Sequence, residues 1–431
     1  MPFESIFFNI LFLFSVSVIW VMILYQLILT FYGYRHRRAM EKRLAEFDQP
    51  DESLPPVSIL IPARNEEIVI ARTLDKILAL DYPSEKMEVI VINDGSTDKT
   101  QAILEAYKKK DRRVIPLQLP LAETGRGKAH ALNAGLQTTK HDYIAIYDAD
   151  NNPQSSSLKT LVRELMRDDT VAAVIGKFRT LNWKRNLLTR FINIETLSFQ
   201  WILQAGRYRA FQVSILPGTN FVIRKEVVTA CGGWDEAAIT EDAELSVRIY
   251  QMGWKIKFVP HAVTWEQEPE KWNVWIRQRT RWVRGNNYVI RKFIKPALSL
   301  QNRFLFMEFL YLFILYYLLL GAIVTSHLLF ILCGVGILNV DVPGPYMAVW
   351  ILAFILYLTE VVLVLSYEDE DKPLNILIAA MMYFTYCQMW IYVVFRGFYL
   401  DLFQKRVGIW DKTERHNQDD LLIQDGDQPC V

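Results

Sequence analysis

Four clusters of polar and charged side chains lie between the two apolar ends of this chain of 431 residues. Carboxylates can hold a cation or accept a proton, cationic side chains can bind phosphate, and a tryptophan can stack on a flat ring. The first two clusters follow apolar runs typical of strands, and the last precedes a long membrane-like region. In order, the clusters are Val91-Ile92-Asn93-Asp94-Gly95, Tyr147-Asp148-Ala149-Asp150, Thr240-Glu241-Asp242 and Gln278-Arg279-Thr280-Arg281-Trp282.

The second cluster has the composition of a cation site. Asp148 and Asp150 are two residues apart, and in an extended segment they would point the same way, so one or both could meet a hard cation. A nucleotide diphosphate needs such a cation to neutralise the charge of the leaving group. The alternative is an Asp-rich turn with a capping role, since Asn151, Asn152 and Pro153 follow. Together with the other clusters, the pair favours metal binding.

Two further loops could meet a nucleotide. Asp94 precedes the turn-like segment 95–98, where its carboxylate could accept hydrogen bonds from ribose or base groups or simply lead into a helix capped by Ser96. The segment 64–66 is a loop of the same kind after the first predicted strand. Gly125-Arg126-Gly127-Lys128 offers backbone N–H groups and cations to phosphate, without a Walker pattern.

The last two clusters suggest proton transfer and phosphate binding. Thr240-Glu241-Asp242 begins a predicted helix, where acidic residues favour the helix dipole, or it supplies a general base. Gln278, Arg281 and Trp282 fall at i, i+3 and i+4 on one helix face, where Arg can clamp a diphosphate and Trp can stack on a sugar. A basic amphipathic helix at a membrane surface is the alternative, and both can hold. Its anchors would be Trp272, Trp275 and Trp282.

Alternating strand-like and helix-like runs position these clusters. Strands are predicted at 57–62, 88–92, 143–147 and 171–175, and helices at 66–80 and 97–109. Continuous apolar strands between helices predict a parallel sheet covered on both faces. In such sheets ligands bind beyond the carboxyl ends of the strands, where Asp94 and the segment 148–150 fall.

The N-terminal end is predicted to cross a membrane. Residues 6–32 carry no charged side chain and reach about 40 Å, enough for an apolar layer of about 30 Å. A cleaved signal peptide is not favoured, because the start lacks a basic region and the apolar run is too long. The basic residues that follow predict a cytoplasmic flank and an outward N-terminus. They are Arg35, His36, Arg37, Arg38, Lys42 and Arg43.

The number of C-terminal crossings stays open. Apolar regions cover 304–365, with a break at 339–345, and 374–394. Arg396, Lys405 and Arg406 favour a cytoplasmic C-terminus, which requires an even number of crossings after the middle domain. Residues 304–338 could form one tilted helix, an interfacial helix before a span, or two short spans. If 304–338 forms a single span, the number of crossings after the middle domain is even only if 374–394 lies along the membrane interface.

Composition argues against several other classes. The net charge of +1 gives no support to a nucleic-acid partner. The cysteines at 231, 333, 387 and 430 have no CxxC spacing, which argues against a zinc site and a disulfide scaffold. The apolar regions contain few ionisable groups, so a pure transporter is not favoured.

These residues resemble the membrane-bound processive β-glycosyltransferases of family 2, which include cellulose, chitin, hyaluronan and bacterial poly-N-acetylglucosamine synthases. The resemblance covers residues 57–285 and rests on four motifs in the same order. It implies a GT-A-like, Rossmann-type cytoplasmic α/β domain inserted between transmembrane helices. The implied divisions are a transmembrane helix (1–33), a basic cytoplasmic linker (34–56), a glycosyltransferase domain ending in interfacial helices (57–300), transmembrane and interfacial helices (301–400) and a cytoplasmic tail (401–431).

The resemblance implies a donor site at the first two loops. Asp94 would bind the uridine part of a UDP-sugar, with Ala63 and Glu66 nearby, and Lys128 would approach the diphosphate. Many relatives carry Asp-Asp-Gly where this chain has Asn93-Asp94-Gly95. Asn keeps the hydrogen-bonding shape and loses a charge.

The resemblance also implies which residues would hold the metal, take the proton and contact the acceptor. Asp148 and Asp150 would be the DxD pair that holds the nucleotide and Mg²⁺ or Mn²⁺, and Asp242 would be the catalytic base with Glu241 beside it. The QxxRW residues of the fourth cluster would contact the diphosphate and the acceptor end. A loop near the acceptor sugar is implied at Gly218, Thr219 and Asn220. A tail motif of bacterial members is implied at 410–415.

The implied function is an inverting hexosyltransferase that polymerises UDP-N-acetylglucosamine or UDP-glucose into a β-linked exopolysaccharide, such as a biofilm polymer. It would export the polymer through its own channel across the cytoplasmic membrane. The implied partners are the UDP-sugar, the growing polysaccharide and the bilayer, and the sugar, linkage and any accessory membrane subunit stay open. The alternatives are a non-processive enzyme that adds one sugar to a lipid carrier or glycolipid, and a non-catalytic membrane partner with the same fold.

Overall fold

The computed structural model of the chain describes residues 3–44, 53–298, 306, 310, 311 and 313–403. The tail motif at 410–415 and the acidic segment at 417–431 lie outside these residues. Within the described ranges the chain forms one long helix, a sheet domain covered by helices, and a second set of apolar helices. This order matches the predicted arrangement of a middle domain between apolar ends.

Eight strands form one sheet in the described ranges: β1 (Val57–Ala63), β2 (Met87–Asn93), β3 (Val114–Gln118), β4 (Tyr143–Ile146), β5 (Asn152–Pro153), β6 (Val171–Thr180), β7 (Phe221–Arg224) and β8 (Lys255–Glu266). Their order in the sheet is β3-β2-β1-β4-β7-β6-β8-β5. The pairs β1–β2, β1–β4, β2–β3 and β6–β8 are parallel, whereas β7 is antiparallel to β4 and β6, and β5 is antiparallel to β8.

The prediction of a parallel sheet is therefore correct for the half around β1 and wrong for the half around β7. A short apolar run that is buried on both faces looks the same in either strand direction, so its sequence does not encode that direction. The prediction that both faces are covered is confirmed. Leu60 and Ile90 pack into one apolar layer, whereas their neighbours Ile59, Ile61 and Val89 pack into the layer on the other face.

Helices cover both faces and continue past the sheet. In the sheet domain they are α2 (Ile70–Leu78), α3 (Thr100–Lys110), α4 (Lys128–Thr138), α5 (Ser157–Met166), α6 (Leu187–Ser198), α7 (Arg207–Phe211), α8 (Lys225–Ala230), α9 (Glu241–Gln251) and α10 (Trp272–Leu298). A π-helical segment, Phe199–Gly206, joins α6 to α7. The apolar helices are α1 (Phe3–Leu44), α11 (Leu320–Gly334, preceded by a π-helical turn at Ile314–Leu319), α12 (Tyr346–Ser366), α13 (Pro373–Phe384) and α14 (Tyr386–Phe403).

Helix α3 begins later than the sequence predicted. Its first residue is Thr100, and its N-cap residue is Lys99, which makes no side-chain cap bond. Asp98 rather than Ser96 bonds to the start of the helix, since Asp98 Oδ1 accepts from the Thr100 N–H at 2.9 Å. The Ser96 hydroxyl accepts instead from the N–H of Asn65 at 2.9 Å. Ser96 therefore ties the loop after β2 to the loop after β1, where the predicted donor site lies.

Four helices in the described part of the chain are long and apolar enough to cross a membrane: Ile6–Arg43, Tyr317–Gly334, Tyr346–Ser366 and the kinked pair Pro373–Phe403. Contacts at the two ends of α1 show which end of the apolar helices lies against the sheet domain. Near the start of α1, the Asn9 side chain bonds to the backbone of Asp341, in the loop between α11 and α12. Near its other end, Arg43 pairs with Glu164 of the sheet domain at 3.6 Å.

A buried cluster of charges joins the loop after α12 to strand β6. Lys177 contacts Glu368 at 2.5 Å, and Arg179 pairs with both Glu368 and Glu370. These four residues form what we call the docking cluster. Because two cations face two carboxylates there, the charges balance inside a region that excludes water.

Candidate active site

The loops after β1 and β2 meet at a buried carboxylate. The Asp94 N–H donates to the carbonyl of Ala63 at 2.9 Å, and Asp94 Oδ1 accepts from the Gly125 N–H at 2.7 Å. Arg64 lies 3.8 Å from the other carboxylate oxygen. Burial raises the pKa of Asp94, while the Gly125 N–H and the Arg64 guanidinium act to lower it. The structure thus brings Ala63, Asp94 and the glycine-rich loop together.

Backbone and side-chain bonds fix the surroundings of this carboxylate. Glu66 is buried, and its N–H donates to the Thr100 hydroxyl at 2.8 Å. The Asn93 amide donates to Gln101 Oε1 at 2.7 Å, and its oxygen accepts from the Ser96 N–H at 2.9 Å. Asn93 therefore closes a local turn with its oxygen, a role that either Asn or Asp can fill.

Lys128, the first residue of α4, lies among three carboxylates. Its ammonium is 2.7 Å from Asp148 Oδ1 and 3.9 Å from Glu241 Oε1, and it donates to the Gly218 carbonyl at 2.7 Å. Burial acts to lower the pKa of Lys128, but the carboxylates of Asp148, Asp242 and Glu241 raise it. Lys128 therefore stays protonated, and we call Lys128, Asp148, Glu241 and Asp242 the acidic cluster.

Asp242, the predicted base, has one carboxylate oxygen without a hydrogen-bond donor among the described residues. The residue is buried, and this oxygen is Oδ1. Burial raises its pKa well above the ordinary value, the neighbouring Glu241 carboxylate raises it further, and the Lys128 ammonium partly offsets both. A buried carboxylate oxygen without a partner can accept the proton of a bound hydroxyl group.

The segment 148–150 forms a turn, whereas the sequence predicted an extended segment. The Asp148 N–H donates to Asn151 Oδ1 and to the Thr219 hydroxyl, both at 3.0 Å. The turn forms because the Asn151 side chain can bond to the backbone three residues earlier, which is the capping role that the alternative described. Asp148 is half-buried beside Lys128, whereas Asp150 is buried.

The glycine loop 218–220 contributes in two ways. Gly218 has a φ of +92°, and a Cβ there would lie 2.9 Å from Asp242 Oδ2, so a side chain would displace the predicted base. Thr219 bonds to the turn at Asp148. The Asn220 amide instead donates to the carbonyls of Lys177 and Ala262, both at 2.9 Å, and supports the loop from inside the domain.

Helix α10 carries its motif face towards the acidic cluster. Gln278, Arg281 and Trp282 share this face with Gly285, which follows Arg281 by four residues and Trp282 by three. A methyl group at Gly285 would collide with the Thr240 side chain, so the helix and the Thr240-Glu241-Asp242 segment are in direct contact. The structure therefore places the two predicted motifs side by side.

One predicted surface anchor lies inside the protein. Trp275 is fully buried, and its indole N–H donates to the Tyr386 hydroxyl at 2.8 Å, because α14 packs along α10 and covers it. Sequence reasoning also missed Glu195 and Arg279, which form a 2.6 Å ion pair in the same layer. Arg279 lies within the fourth motif, but nothing in the sequence linked it to a glutamate 84 residues away.

The donor set fits a divalent cation. Within the described residues no three His, Cys, Asp or Glu side chains form a complete metal site. Mg²⁺, however, is usually bound by one or two carboxylates together with substrate phosphates and water. Asp148 and Asp150 supply such carboxylates, and the acidic cluster has three carboxylates around one ammonium. The residues are therefore suited to a cation that arrives with a diphosphate.

The fold and this site define a class of enzyme. Residues 55–285 match the family model described as "Glycosyltransferase like family 2". The chain belongs to this family, and it is a hexosyltransferase with a GT-A-like fold. The family match ends at Gly285, the residue at which α10 contacts the acidic segment.

The chain is also similar to individual sugar-transferring enzymes. The chain is 43% identical over 415 residues to the probable glycosyltransferase YdaM of Bacillus subtilis, covering 95% of this chain and 99% of the relative. It is 31% identical over 287 residues to the poly-β-1,6-N-acetyl-D-glucosamine synthase of Staphylococcus aureus, covering 66% of each. A solved mannosyltransferase of Pyrobaculum calidifontis, in complex with GDP-Man and Mn²⁺, has a TM-score of 0.62 at 19% identity, covering 92% of this chain and all of that chain. That last likeness shows the fold.

Proposed function

We propose that this enzyme polymerises a UDP-sugar, either UDP-N-acetylglucosamine or UDP-glucose, into a β-linked exopolysaccharide and exports it through its own helices. The observation that carries the proposal is the contact of the α10 motif face with the Thr240-Glu241-Asp242 segment at Gly285. This contact supports the proposal, because the residues proposed to bind the diphosphate and the acceptor would then lie beside the proposed base. The staphylococcal relative, a polymer synthase, supports the same reading.

The proposed reaction is an inverting transfer. Asp242 takes the proton of the acceptor hydroxyl, and that oxygen attacks the anomeric carbon from the face opposite UDP. The bond from the sugar to the diphosphate oxygen breaks, and its electron pair leaves with UDP. An α-linked donor then gives a β-linked product. Burial and the Glu241 carboxylate raise the pKa of Asp242, which strengthens it as a base.

Cationic groups complete the donor site. Lys128 and Arg281 are positioned to meet the diphosphate, and Asp94 to meet the nucleoside. Asp148 and Asp150 would hold Mg²⁺ or Mn²⁺, and the bound cation supplies neutralisation of the charge on departing UDP. The Gly125 N–H that now bonds to Asp94 shows how closely the glycine-rich loop approaches this part of the site.

We further propose three membrane crossings, by α1, α11 and α12. Asn9 and Asp341 meet at the end away from the sheet domain, whereas the docking cluster lies against the sheet. The pair α13–α14 starts beside that cluster and ends where Asp401 pairs with Arg284 of α10 at 2.8 Å. Both of its ends thus face the sheet domain, so the pair lies along the interface instead of crossing. This gives the even number of later crossings that a cytoplasmic C-terminus requires.

Labelling of introduced cysteines tests this topology. In a variant without native cysteines, a membrane-impermeant maleimide added to intact cells should label Ile337→Cys, in the loop between α11 and α12. It should label Leu402→Cys, near the end of α14, only after the cells are opened. Both side chains are exposed, so accessibility within the protein does not limit the reaction. Labelling of Leu402→Cys in intact cells would show that α13–α14 crosses.

The activity is tested with purified protein in lipid nanodiscs, Mg²⁺ or Mn²⁺, and a panel of UDP-sugars. We expect UDP release with one donor together with a long polymer. Release with a single-sugar product on lipid would support the non-processive alternative and contradict polymerisation. Absence of release from every donor, in the presence of total membrane extract, would contradict a self-sufficient synthase.

A further inference from the structure

A largely buried carboxylate lies where three helices meet. Glu195 of α6 accepts from Arg279 Nη2 at 2.6 Å, from the Tyr386 hydroxyl at 2.7 Å and from the Trp390 indole N–H at 2.8 Å. Arg279 belongs to α10, and the two aromatic residues belong to α14. Arg279 and Tyr386 share Oε2, whereas Trp390 bonds to Oε1. The three donors therefore hold this carboxylate in one orientation.

The guanidinium of Arg279 in turn contacts two residues of the predicted substrate motif. Its Nη1 donates to Gln278 Oε1 at 2.7 Å, and its central carbon lies 3.9 Å from the centre of the Trp282 ring. Arg279 is 1% exposed, so substrate does not reach it directly. It lies behind the face on which Gln278 and Trp282 are presented.

An arginine suits this position better than any other residue. Its planar guanidinium can donate in two directions and stack on an aromatic ring at the same time. A lysine ammonium could keep the ion pair with Glu195, but it has no plane to stack and no fixed fork. The geometry therefore connects Glu195, through one rigid group, to both an amide and an indole of the motif.

We propose that Glu195 and Arg279 are positioning residues that fix Gln278 and Trp282 in the orientation in which they bind the diphosphate and the acceptor sugar. This inference rests on the proposed function, because it takes the motif face as the substrate face. The ion pair does not touch substrate. It removes the rotational freedom of two side chains that do, and such preorganisation determines how well a reactant is aligned.

The alternative is that the ion pair only holds α6, α10 and α14 together. If the role were only structural, changing Arg279 would lower stability to the same extent whichever residue occupied position 282. A positioning role requires that the effect of changing Arg279 shrink once the Trp282 ring is gone, because only its contact with Gln278 is then left. Non-additivity between positions 279 and 282 therefore separates the two explanations.

A double-mutant cycle provides the test. UDP release per folded molecule is measured for the unaltered enzyme, Arg279→Lys, Trp282→Leu and the double variant, with donor and polymer primer varied separately. We expect Arg279→Lys to lower kcat/KM about 10- to 100-fold in the unaltered background, with little change in the dissociation constant of UDP. In the Trp282→Leu background the same change should cost less than about threefold. Independent, multiplying losses would overturn the proposal.

Trp390→Phe is the matched control. It removes a hydrogen bond from the same carboxylate, but at the oxygen that Arg279 does not use. We expect it to lower the thermal midpoint while changing kcat/KM less than about threefold. If Trp390→Phe and Arg279→Lys instead lowered kcat/KM equally, the network would be structural and the proposal would fail.

A second readout does not depend on catalysis. In protein labelled with 5-fluorotryptophan, the ¹⁹F resonance of Trp282 is the one that Trp282→Leu removes. Arg279→Lys and Glu195→Gln should both shift it, while the resonance of the exposed Trp350 on α12 should stay in place. An unmoved Trp282 resonance would contradict the inference even for an inactive protein. Absence of UDP release from the unaltered enzyme, with the expected shift, would contradict the proposed function alone.

Discussion

The acidic cluster and the docking cluster are both buried groups of charges, yet their charge balance differs. In the acidic cluster, the ammonium of Lys128 faces the carboxylates of Asp148, Glu241 and Asp242. In the docking cluster, two cations face two carboxylates. Burying an unbalanced charge is costly, so a protein retains such a group where a ligand or a proton supplies the missing charge.

The two clusters also differ in whether their carboxylate oxygens have hydrogen-bond partners. Neutral donors complete both carboxylates of the docking cluster, since Trp201 donates to Glu368 at 2.8 Å and Asn193 donates to Glu370 at 2.7 Å. On the cationic side of that cluster, Arg179 Nε has no hydrogen-bond partner among the described residues. In the acidic cluster, Asp242 Oδ1 has no partner within the described ranges. The balanced cluster joins two parts of the chain, whereas the unbalanced one has the charge and the open acceptor that the proposed binding of a cation and a hydroxyl group requires.

The pKa values of Asp242 and Glu368 shift in opposite directions, whereas burial raises the pKa of Glu370, the second carboxylate of the docking cluster. Burial raises the pKa of Asp242 and the adjacent carboxylate adds to the effect. Burial also acts to raise the pKa of Glu368, but Lys177 and Arg179 lower it below its ordinary value. The pKa of Asp242 is therefore raised, which makes it a stronger base, whereas the pKa of Glu368 is lowered, which favours its charged form.

The largest effect is expected from Asp242→Asn. Loss of a general base costs about 10²- to 10⁴-fold in rate, and the amide keeps the size of the side chain. UDP release should fall by this factor, while titration calorimetry should show nearly unchanged binding of the UDP-sugar. The matched control is Glu370→Gln in the docking cluster, which should leave the turnover of folded molecules nearly unchanged. Near-normal synthesis by Asp242→Asn would overturn its assignment as the base.

Asp150→Asn tests the cation requirement of the segment 148–150, which adjoins the acidic cluster through Asp148. We expect EDTA to abolish UDP release and Mg²⁺ or Mn²⁺ to restore it. In the variant, about 100-fold lower activity should be partly recovered by a higher metal concentration, because one oxygen ligand has lost its charge. Full activity in EDTA would contradict the proposed role of Asp148 and Asp150.

Lys128→Gln changes the charge balance of the same cluster. Loss of a charged hydrogen-bond donor should lower kcat/KM about 10- to 100-fold. The base is active when deprotonated, so activity falls as the pH drops through the pKa of Asp242. Since Lys128 acts to lower that pKa, removing the ammonium should move the acidic limb of the kcat/KM profile to higher pH. The exposed Lys76→Gln serves as control, and a limb that stays in place would contradict the coupling.

Glu368→Gln should affect stability rather than chemistry. Removing one partner of a buried pair leaves an uncompensated charge, which costs about 3–5 kcal/mol in the free energy of unfolding. Denaturant titration in detergent micelles measures this, with Glu41→Gln at the partly exposed Arg37 pair as the control. Because the pKa of Glu368 is lowered, its contribution is present near neutral pH and is lost as the pH falls through that lowered pKa. An unchanged unfolding curve would show that the cluster is not what fixes the loop.

Local patterns predicted the parts of the molecule that local interactions determine. The runs at 57–62, 88–92 and 143–147 are strands, and Asp94 and Asp148 lie just past their carboxyl ends, because apolar runs between helices form a covered sheet. The motif spacing in α10 also holds, since i, i+3 and i+4 positions share a face in any regular helix.

Pairings between distant segments could not be predicted in this way. Lys128 reaches the Gly218 carbonyl 90 residues away, and Lys177 reaches Glu368 across 191 residues. Charge alone does not specify such partners, because many other lysines and glutamates were equally available in the sequence. The direction of β7 and the burial of Trp275 depend in the same way on packing that forms only in the complete fold.

The smallest effect is expected at position 93, where the chain departs from the family pattern and the side chain bonds only to nearby residues. Asn93→Asp restores the Asp-Asp-Gly pattern at a position next to Asp94. Its oxygen would still accept from the Ser96 N–H, and the Gln101 amide can turn to donate where it now accepts. We therefore expect less than about a twofold change in the KM for the UDP-sugar. Asp94→Asn should raise that KM strongly, and an equal response of both variants would mean that position 93 also contacts the donor.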